Sequence, residues 1–194
     1  MKKVRYVLIL ISFLVISCAT ATHGPFYIRK PYGAPCPYGE RIHPGIDFRI
    51  STGTPIIAIS DGKVIYIGEP DSKESYGGGF FVSISHSIHF NSLYGHLSKV
   101  FVEKGQSLKR GQLIGLSGAS NNGNAHLHFG ICKKRGNCQN YSQTYNPDEF
   151  WLGGKPQCFD PNKDYSSYSQ KEIAFPVACG DYAKELKSKT KKKD

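Results

Sequence analysis

The chain carries seven histidines, His23, His43, His86, His89, His96, His126 and His128, and the spacing of some of them could do chemistry. In the stretch Asn124 to Ile131, a period of two puts His126, His128 and Gly130 on one side of a strand. Leu127, Phe129 and Ile131 fall on the other side. The apolar side can anchor in a core and hold two imidazoles on the opposite, open face. Neutral imidazole is the commonest protein ligand for metals, and two at i, i+2 can converge on one ion. The competing reading is the polar outer face of an ordinary strand, so other parts of the chain must decide. His43-Pro44-Gly45-Ile46-Asp47 supplies a further imidazole and a carboxylate four positions on. Pro44-Gly45 argues against a helix between them, so this is not the helical His-Glu-x-x-His arrangement. A turn that folds back can still aim both side chains at one point. His43, Asp47 and one of His126 and His128 then form a two-histidine, one-carboxylate set. Three protein ligands with one open position are what catalytic zinc requires.

These residues need a scaffold, and from Gly45 onward the sequence reads as short strands punctuated by glycine turns. The predicted strands are 46–50, 56–60, 63–67, 80–86, 88–94, 112–117 and 126–132, with clear alternation at Phe80, Val82 and Ile84. Turn signals recur at Thr52-Gly53, Asp61-Gly62, Gly77-Gly78-Gly79, Lys104-Gly105 and Arg110-Gly111. Regularly spaced short strands without long helical patterns predict a mainly β, antiparallel domain. Helical patterns are confined to residues 147–151 and the C-terminal tail. The segment Val102 to Gly115 is similar to the paired half-turns of lipoyl-type sandwich barrels. A lipoyl carrier, however, presents its lysine in an Asp-Lys-Ala-type hairpin tip, which this chain lacks.

Tyr94-Gly95-His96-Leu97-Ser98 completes a pattern. Together, His43-Pro-Gly-Ile-Asp47, this segment and His126-Leu-His128-Phe129 resemble the lysostaphin/LytM-type zinc endopeptidases of bacterial cell walls. Gly53-Thr54-Pro55-Ile56-Ile57-Ala58, Asp61-Gly62-Lys63-Val64 and Gly115-Leu116-Ser117-Gly118 match in the same order, so the likeness covers residues 39–150. The resemblance implies a lipoyl-like sandwich peptidase core. It implies Zn²⁺ held by His43, Asp47 and His128, with His96 and His126 facing the open coordination position as catalytic residues. It also implies a peptidoglycan peptide as substrate, cut at a cross-link or stem, with D-Ala–diaminopimelate bonds expected in a double-layered envelope. A non-catalytic member of the fold that binds and activates another wall hydrolase is the alternative, but such members typically lack some of the ligands. Gly77-Gly78-Gly79 could border the cleft or form a flexible hairpin. His23, His86 and His89 match no family position and are read as structural or exposed.

The ends bound where such an enzyme would work. Met1-Lys2-Lys3-Val4-Arg5 followed by an apolar run to Ser17 reads as a secretory signal, too short to span a bilayer comfortably. Val15-Ile16-Ser17-Cys18 resembles a lipobox, which implies acyl chains on Cys18 and anchoring in the envelope, with outer-membrane placement expected. Removing the first 17 of 194 residues leaves 177, enough for one domain with its own core, expected as a monomer. The net charge falls from +10 to +7 as Lys2, Lys3 and Arg5 go. No arginine-rich patch interleaved with aromatics points to nucleic acid. Residues 18–38, rich in proline, are read as a tether with irregular structure packed at the domain's edge, 151–180 as an extension without a family match, and 181–194 as a disordered lysine-rich tail. Export permits disulfides. Cys132 and Cys138 flank a turn-like insert, and Cys158 with Cys179 would tie down the extension, leaving Cys36 single. No pair has Cys-x-x-Cys spacing, which disfavours a thiolate metal site or a thioredoxin-like redox role.

Overall fold

The computed structural model describes residues 28–36, 42–70, 77–86, 90–169 and 171–191. The signal and lipobox segment with Cys18, the 38/39 boundary, His23 and His89 lie outside the described residues. In chain order the strands are β1 (Ile28–Lys30), β2 (Ile46–Phe48), β3 (Pro55–Ile57), β4 (Gly62–Gly68), β5 (Phe80–His86) and β6 (Phe90–Val100). They continue as β7 (Ser107–Leu108), β8 (Leu113–Ala119), β9 (Ala125–Lys133), β10 (Thr144–Tyr145), β11 (Cys158–Phe159) and β12 (Phe175–Ala178), followed by helix α1 (Gly180–Lys191).

The first ten strands form one antiparallel sheet in the order β1-β2-β9-β8-β6-β5-β4-β7, with β3 on β8 and β10 on β9. β6 is longer than its sequence pattern predicts because it serves two partners. Its first half pairs with β9 as far as Gly95 opposite His128. Its second half pairs with β8 from Leu97 opposite Ser117. His96 lies between the two, at φ 59°, a left-handed conformation rare outside glycine. A change of partner needs a kink, and the kink falls on this histidine.

One face of the sheet carries the core. Val82 and Ile84 of β5, Tyr94 and Leu97 of β6, and Leu127, Phe129 and Ile131 of β9 are all fully buried, as the period-two patterns require. Phe48 of β2 joins them, its ring meeting Phe175 edge-on at 4.6 Å, while Trp151 stacks on Phe129 at 5.8 Å. The extension is therefore continuous with this core: Trp151, Ile173, Phe175 and Val177 belong to the same cluster as residues of the main sheet. At roughly 1.5–3 kcal/mol for each large apolar side chain buried, these residues stabilise the domain substantially. The chain is mainly β, as expected.

Three expectations need correction. The tail is helical as far as residue 191: α1 buries Leu186 and Thr190, i and i+4 on one face, with Leu186 in a small cluster with Ile57 and Ala178. Asp181 in its first turn and Lys189 and Lys191 in its last complement the helix dipole. Lys184, Lys187, Lys189 and Lys191 occupy the solvent side. The edge segment before the domain is partly regular, because β1 pairs with β2. Residues 147–151 form no α-helix: a single 3-10 turn at Pro147–Glu149 ends in Phe150, and Trp151 bridges to Ile173.

Sulfur joins Cys132 to Cys138 and Cys158 to Cys179, with Cα separations of 4.9 and 5.2 Å. Cys36 is a free thiol that accepts a hydrogen bond from Lys30 Nζ at 3.2 Å.

Candidate metal centre

β2 and β9 lie side by side, with Asp47 directly opposite His128 in the register. The turn before β2 folds His43 over the same spot, as the Pro44-Gly45 reading allowed. Gly45 is required there by space, since a Cβ would stand 2.4 Å from the Phe129 carbonyl oxygen and 2.9 Å from the His128 ring. Three donor atoms converge as a result. His43 Nε2 lies 3.1 Å from Asp47 Oδ1 and 3.1 Å from His128 Nδ1, and Asp47 Oδ1 lies 2.9 Å from His128 Nδ1.

Proton counting says what this cluster is suited to. His43 Nδ1–H donates to the Pro31 carbonyl at 3.0 Å, so in the neutral ring Nε2 is a bare lone pair. At most one proton, that of His128 Nδ1, is then left among the three atoms. A cation resolves that arrangement. The separations also approach the ~3.3 Å edge of a tetrahedron built with donor bonds of ~2.0 Å. His43, Asp47 and His128 are the group among the described residues that could hold a metal ion. Burial pushes the Asp47 carboxyl up, but the His128 and His43 rings against it outweigh that and hold the group well below the usual carboxylate range. The acid is a carboxylate at any ordinary pH.

His96 and His126 flank the cluster, their rings 4.5 Å apart, and the His96 ring lies 6.2 Å from that of His128. His126 Nδ1–H donates to the Asn124 carbonyl at 2.8 Å, and its Nε2 lies 3.8 Å from Asp47 Oδ2. His96 Nδ1–H donates to the Gly78 carbonyl at 2.7 Å. Backbone carbonyls thus fix the tautomer of His43, His96 and His126 and leave each Nε2 free of its proton. Burial pulls His96 down to about 4, against the opposing hydrogen bond to Gly78, so its ring is neutral at physiological pH. Burial lowers His126 too, opposed by the Asn124 carbonyl and by Asp47, while the nearby Arg29 adds to the lowering. Two neutral imidazoles beside a three-donor cluster can accept and return protons.

All five residues singled out from the sequence come together. Two details of the sequence reading change. The face of β9 that carries His126 and His128 is not open, since both side chains are buried. The glycine run, read as a cleft border or a flexible hairpin, is the backbone cradle of His96. Gly77, Gly78 and Gly79 all have positive φ, and the Gly78 carbonyl orients the ring. His86, read as structural, is buried between the Asp61 carbonyl and the Ser92 hydroxyl, 2.9 and 2.7 Å away, at the opposite end of β5 from Phe80. The sequence reading missed the orienting carbonyls of Pro31, Gly78 and Asn124, because a carbonyl carries no residue signature. It also missed Arg29, whose Nη1 lies 3.4 Å from His126 Nδ1.

Comparisons with known proteins agree with this geometry. The family model of Peptidase family M23 matches residues 41–141. Among curated proteins, the peptidoglycan DD-endopeptidase ShyB of Vibrio cholerae is 41% identical over 90 residues, 46% of this chain and 20% of that protein. Lysostaphin of Staphylococcus staphylolyticus is 38% identical over 123 residues, 59% of this chain and 25% of its own length. The lipoprotein YgeR of Escherichia coli is 38% identical over 87 residues, 45% of this chain and 33% of that protein. The chain thus spans between a fifth and a third of the length of these relatives. Among solved structures, the catalytic domain of the antimicrobial peptidase lysostaphin from Staphylococcus simulans superposes with a TM-score of 0.55 at 32% identity. That match covers 63% of this chain and 89% of the other. The matched span holds His43, Asp47, His96, His126 and His128, and the chain belongs to Peptidase family M23.

Proposed function

We propose that this chain is a zinc-dependent endopeptidase that hydrolyses peptide bonds of peptidoglycan. The observation that carries the reading is the convergence of five side chains: His43 Nε2, Asp47 Oδ1 and His128 Nδ1 on one point, with the rings of His96 and His126 beside it. His43, Asp47 and His128 would hold Zn²⁺. Bound there, the ion would lower the pKa of a water toward ~7 and polarise the scissile carbonyl. His96 and His126 do the proton work. Each commits its Nδ1 proton to a backbone carbonyl and offers a bare Nε2. One takes a proton from the attacking water; the other, once protonated, stabilises the oxyanion or protonates the leaving amine. Asp47 keeps its negative charge throughout and offsets part of the ion's charge.

The D-Ala–diaminopimelate cross-link is the bond proposed, supported by the 41% identity to a relative named as a peptidoglycan DD-endopeptidase. Cys18 is proposed to carry lipid and anchor the chain, as a monomer, to the outer membrane facing the periplasm; the similarity to a protein named as a lipoprotein supports the anchor. Metal analysis of the purified protein and digestion of purified sacculi test the enzyme reading. The expected result is one zinc per chain, lost with activity in His128→Ala; a variant that digests as well as wild type refutes it. Mass spectrometry of the released muropeptides identifies the bond. The activator alternative predicts instead that metal-free protein stimulates a partner amidase as well as the loaded form does.

A further inference from the structure

The geometry points to Arg29 as an anion subsite beside the metal centre, selecting peptides with a free carboxylate near the scissile bond. Arg29 lies outside the matched residues 41–141, on β1, at an irregularity in the strand. Ile28 faces Phe48 and Lys30 faces Asp47 in the register, so two steps along β1 span one step along β2. A bulge of this kind re-aims the side chain it carries. While Ile28 packs against the core, the exposed Arg29 side chain reaches the candidate catalytic histidine instead.

What it finds there cannot use its protons. His126 Nδ1 is 3.4 Å from Arg29 Nη1, but that nitrogen already carries a hydrogen donated to the Asn124 carbonyl at 2.8 Å. Two donors therefore face each other, and among the described residues no carboxylate pairs with Arg29. A guanidinium with five N–H donors in a planar fork stands at the rim of a peptidase centre with no carboxylate partner among the described residues. A carboxylate is the ligand whose shape and charge suit that fork, held by paired charge-assisted hydrogen bonds. On a peptide substrate it can be a side-chain carboxylate or the terminal carboxylate of a stem.

This inference rests on the endopeptidase reading for its substrate class. Its test is chosen so that the two can fail separately. Peptides mimicking a cross-linked stem are prepared with all carboxyls free, with the side-chain carboxyl amidated, and with the terminal carboxyl amidated. Binding to the zinc-loaded full chain carrying His96→Ala is measured by calorimetry, which needs no turnover, and kcat and KM are measured on the wild type. One free carboxylate should tighten binding about tenfold or more, the scale of a charge-assisted hydrogen bond, and the amidated peptide that loses this gain identifies the source. Arg29→Gln should abolish the discrimination, raising KM for the free peptide while leaving kcat and the amidated peptide nearly unchanged. Arg29→Lys should restore part of it. Equal binding of all three peptides, no binding of any, or discrimination that survives in Arg29→Gln overturns the assignment. So does an Arg29→Gln chain that loses kcat on every peptide alike, which would make Arg29 a prop for His126. Discrimination in binding without cleavage by wild type would leave the subsite standing and overturn the enzyme reading.

Discussion

Gly79→Ala should disable catalysis while leaving the metal centre in place. Gly79 has φ 74°, and a Cβ there would stand 2.8 Å from both Cα and C of His96. Those are backbone atoms, so no rotamer change relieves the clash. Ordinary contact begins near 3.4 Å, so the strand at His96 must retreat by roughly 0.6 Å. The left-handed conformation adds ~1–2 kcal/mol for an L-residue and the overpacking a further ~1–3 kcal/mol. The chain should therefore lose about 2–5 kcal/mol of stability. A catalytic group displaced on this scale costs on the order of 10²-fold in rate, at the lower end of what proton transfer by one side chain contributes. The three candidate ligands sit on β2, β9 and the turn before β2, whereas the clash lies at the kink of β6. Metal content should therefore stay near one per chain. Gly105→Ala is the control: Gly105 has φ 91° with nothing within 4 Å of a Cβ, so it carries the conformational cost without the collision. Urea denaturation, metal analysis and kcat/KM on a synthetic cross-linked peptide are measured for both. If Gly79→Ala is folded, loaded and as active as Gly105→Ala, the cradle does not orient His96 and the role given to that ring is wrong.

Two further outcomes concern stability. Burial pulls His86 down to about 4 from an ordinary value of 6.5. Because the folded state disfavours the charged ring, its contribution is complete above pH ~6.5 and is lost as pH falls toward 4. The loss is ~0.8 kcal/mol at pH 6 and ~2 kcal/mol at pH 5. In urea titrations the stability gap between wild type and His86→Gln should narrow by that ~2 kcal/mol between pH 7.5 and 5; a gap independent of pH refutes the account. Cys158–Cys179 closes a loop of sequence separation 21, and the double variant to serine should lose ~3 kcal/mol on chain-entropy grounds. Calorimetry should show the loss as a lower melting temperature, and an unchanged one would mean the extension is held by packing alone.

Legibility in the sequence followed how local the physics is. His126 and His128 announced themselves because a strand's period of two separates an apolar stripe from a chemical one within eight residues. His43 and Asp47 were readable because proline and glycine between them excluded the helix and left the turn. His96 was not readable from its own neighbourhood. Its aim depends on β6 exchanging β9 for β8 and on a carbonyl 18 residues earlier, and neither leaves a mark beside Tyr94-Gly95. Only the family resemblance pointed to it. The extension was illegible for a related reason. Strands of two and four residues are too short to show a period, and Trp151 and Phe175 both find their partner Phe48 about a hundred residues away or more. The tail misled because composition counts charges without asking which side of a helix they occupy: Leu186 and Thr190 alone are buried among its lysines.

The same contrast explains why the donor set and its orientation come from different parts of the chain. Donors must have particular side chains, so they sit on β2 and β9, which pair with Asp47 opposite His128, and in the turn before β2. Orientation needs only a carbonyl, and any residue can supply one: Pro31 after β1, Gly78 before β5 and Asn124 before β9 each hold one ring. Substituting those side chains, as opposed to moving their backbones, should therefore leave the rings in place. Asn124→Ala, which keeps its carbonyl, is expected to retain the His126 tautomer and activity within a few-fold of wild type. Gly78 is different, because at φ 90° a Cβ would collide with Asn121. A large loss in Asn124→Ala would mean that its side chain, and not its backbone, sets His126.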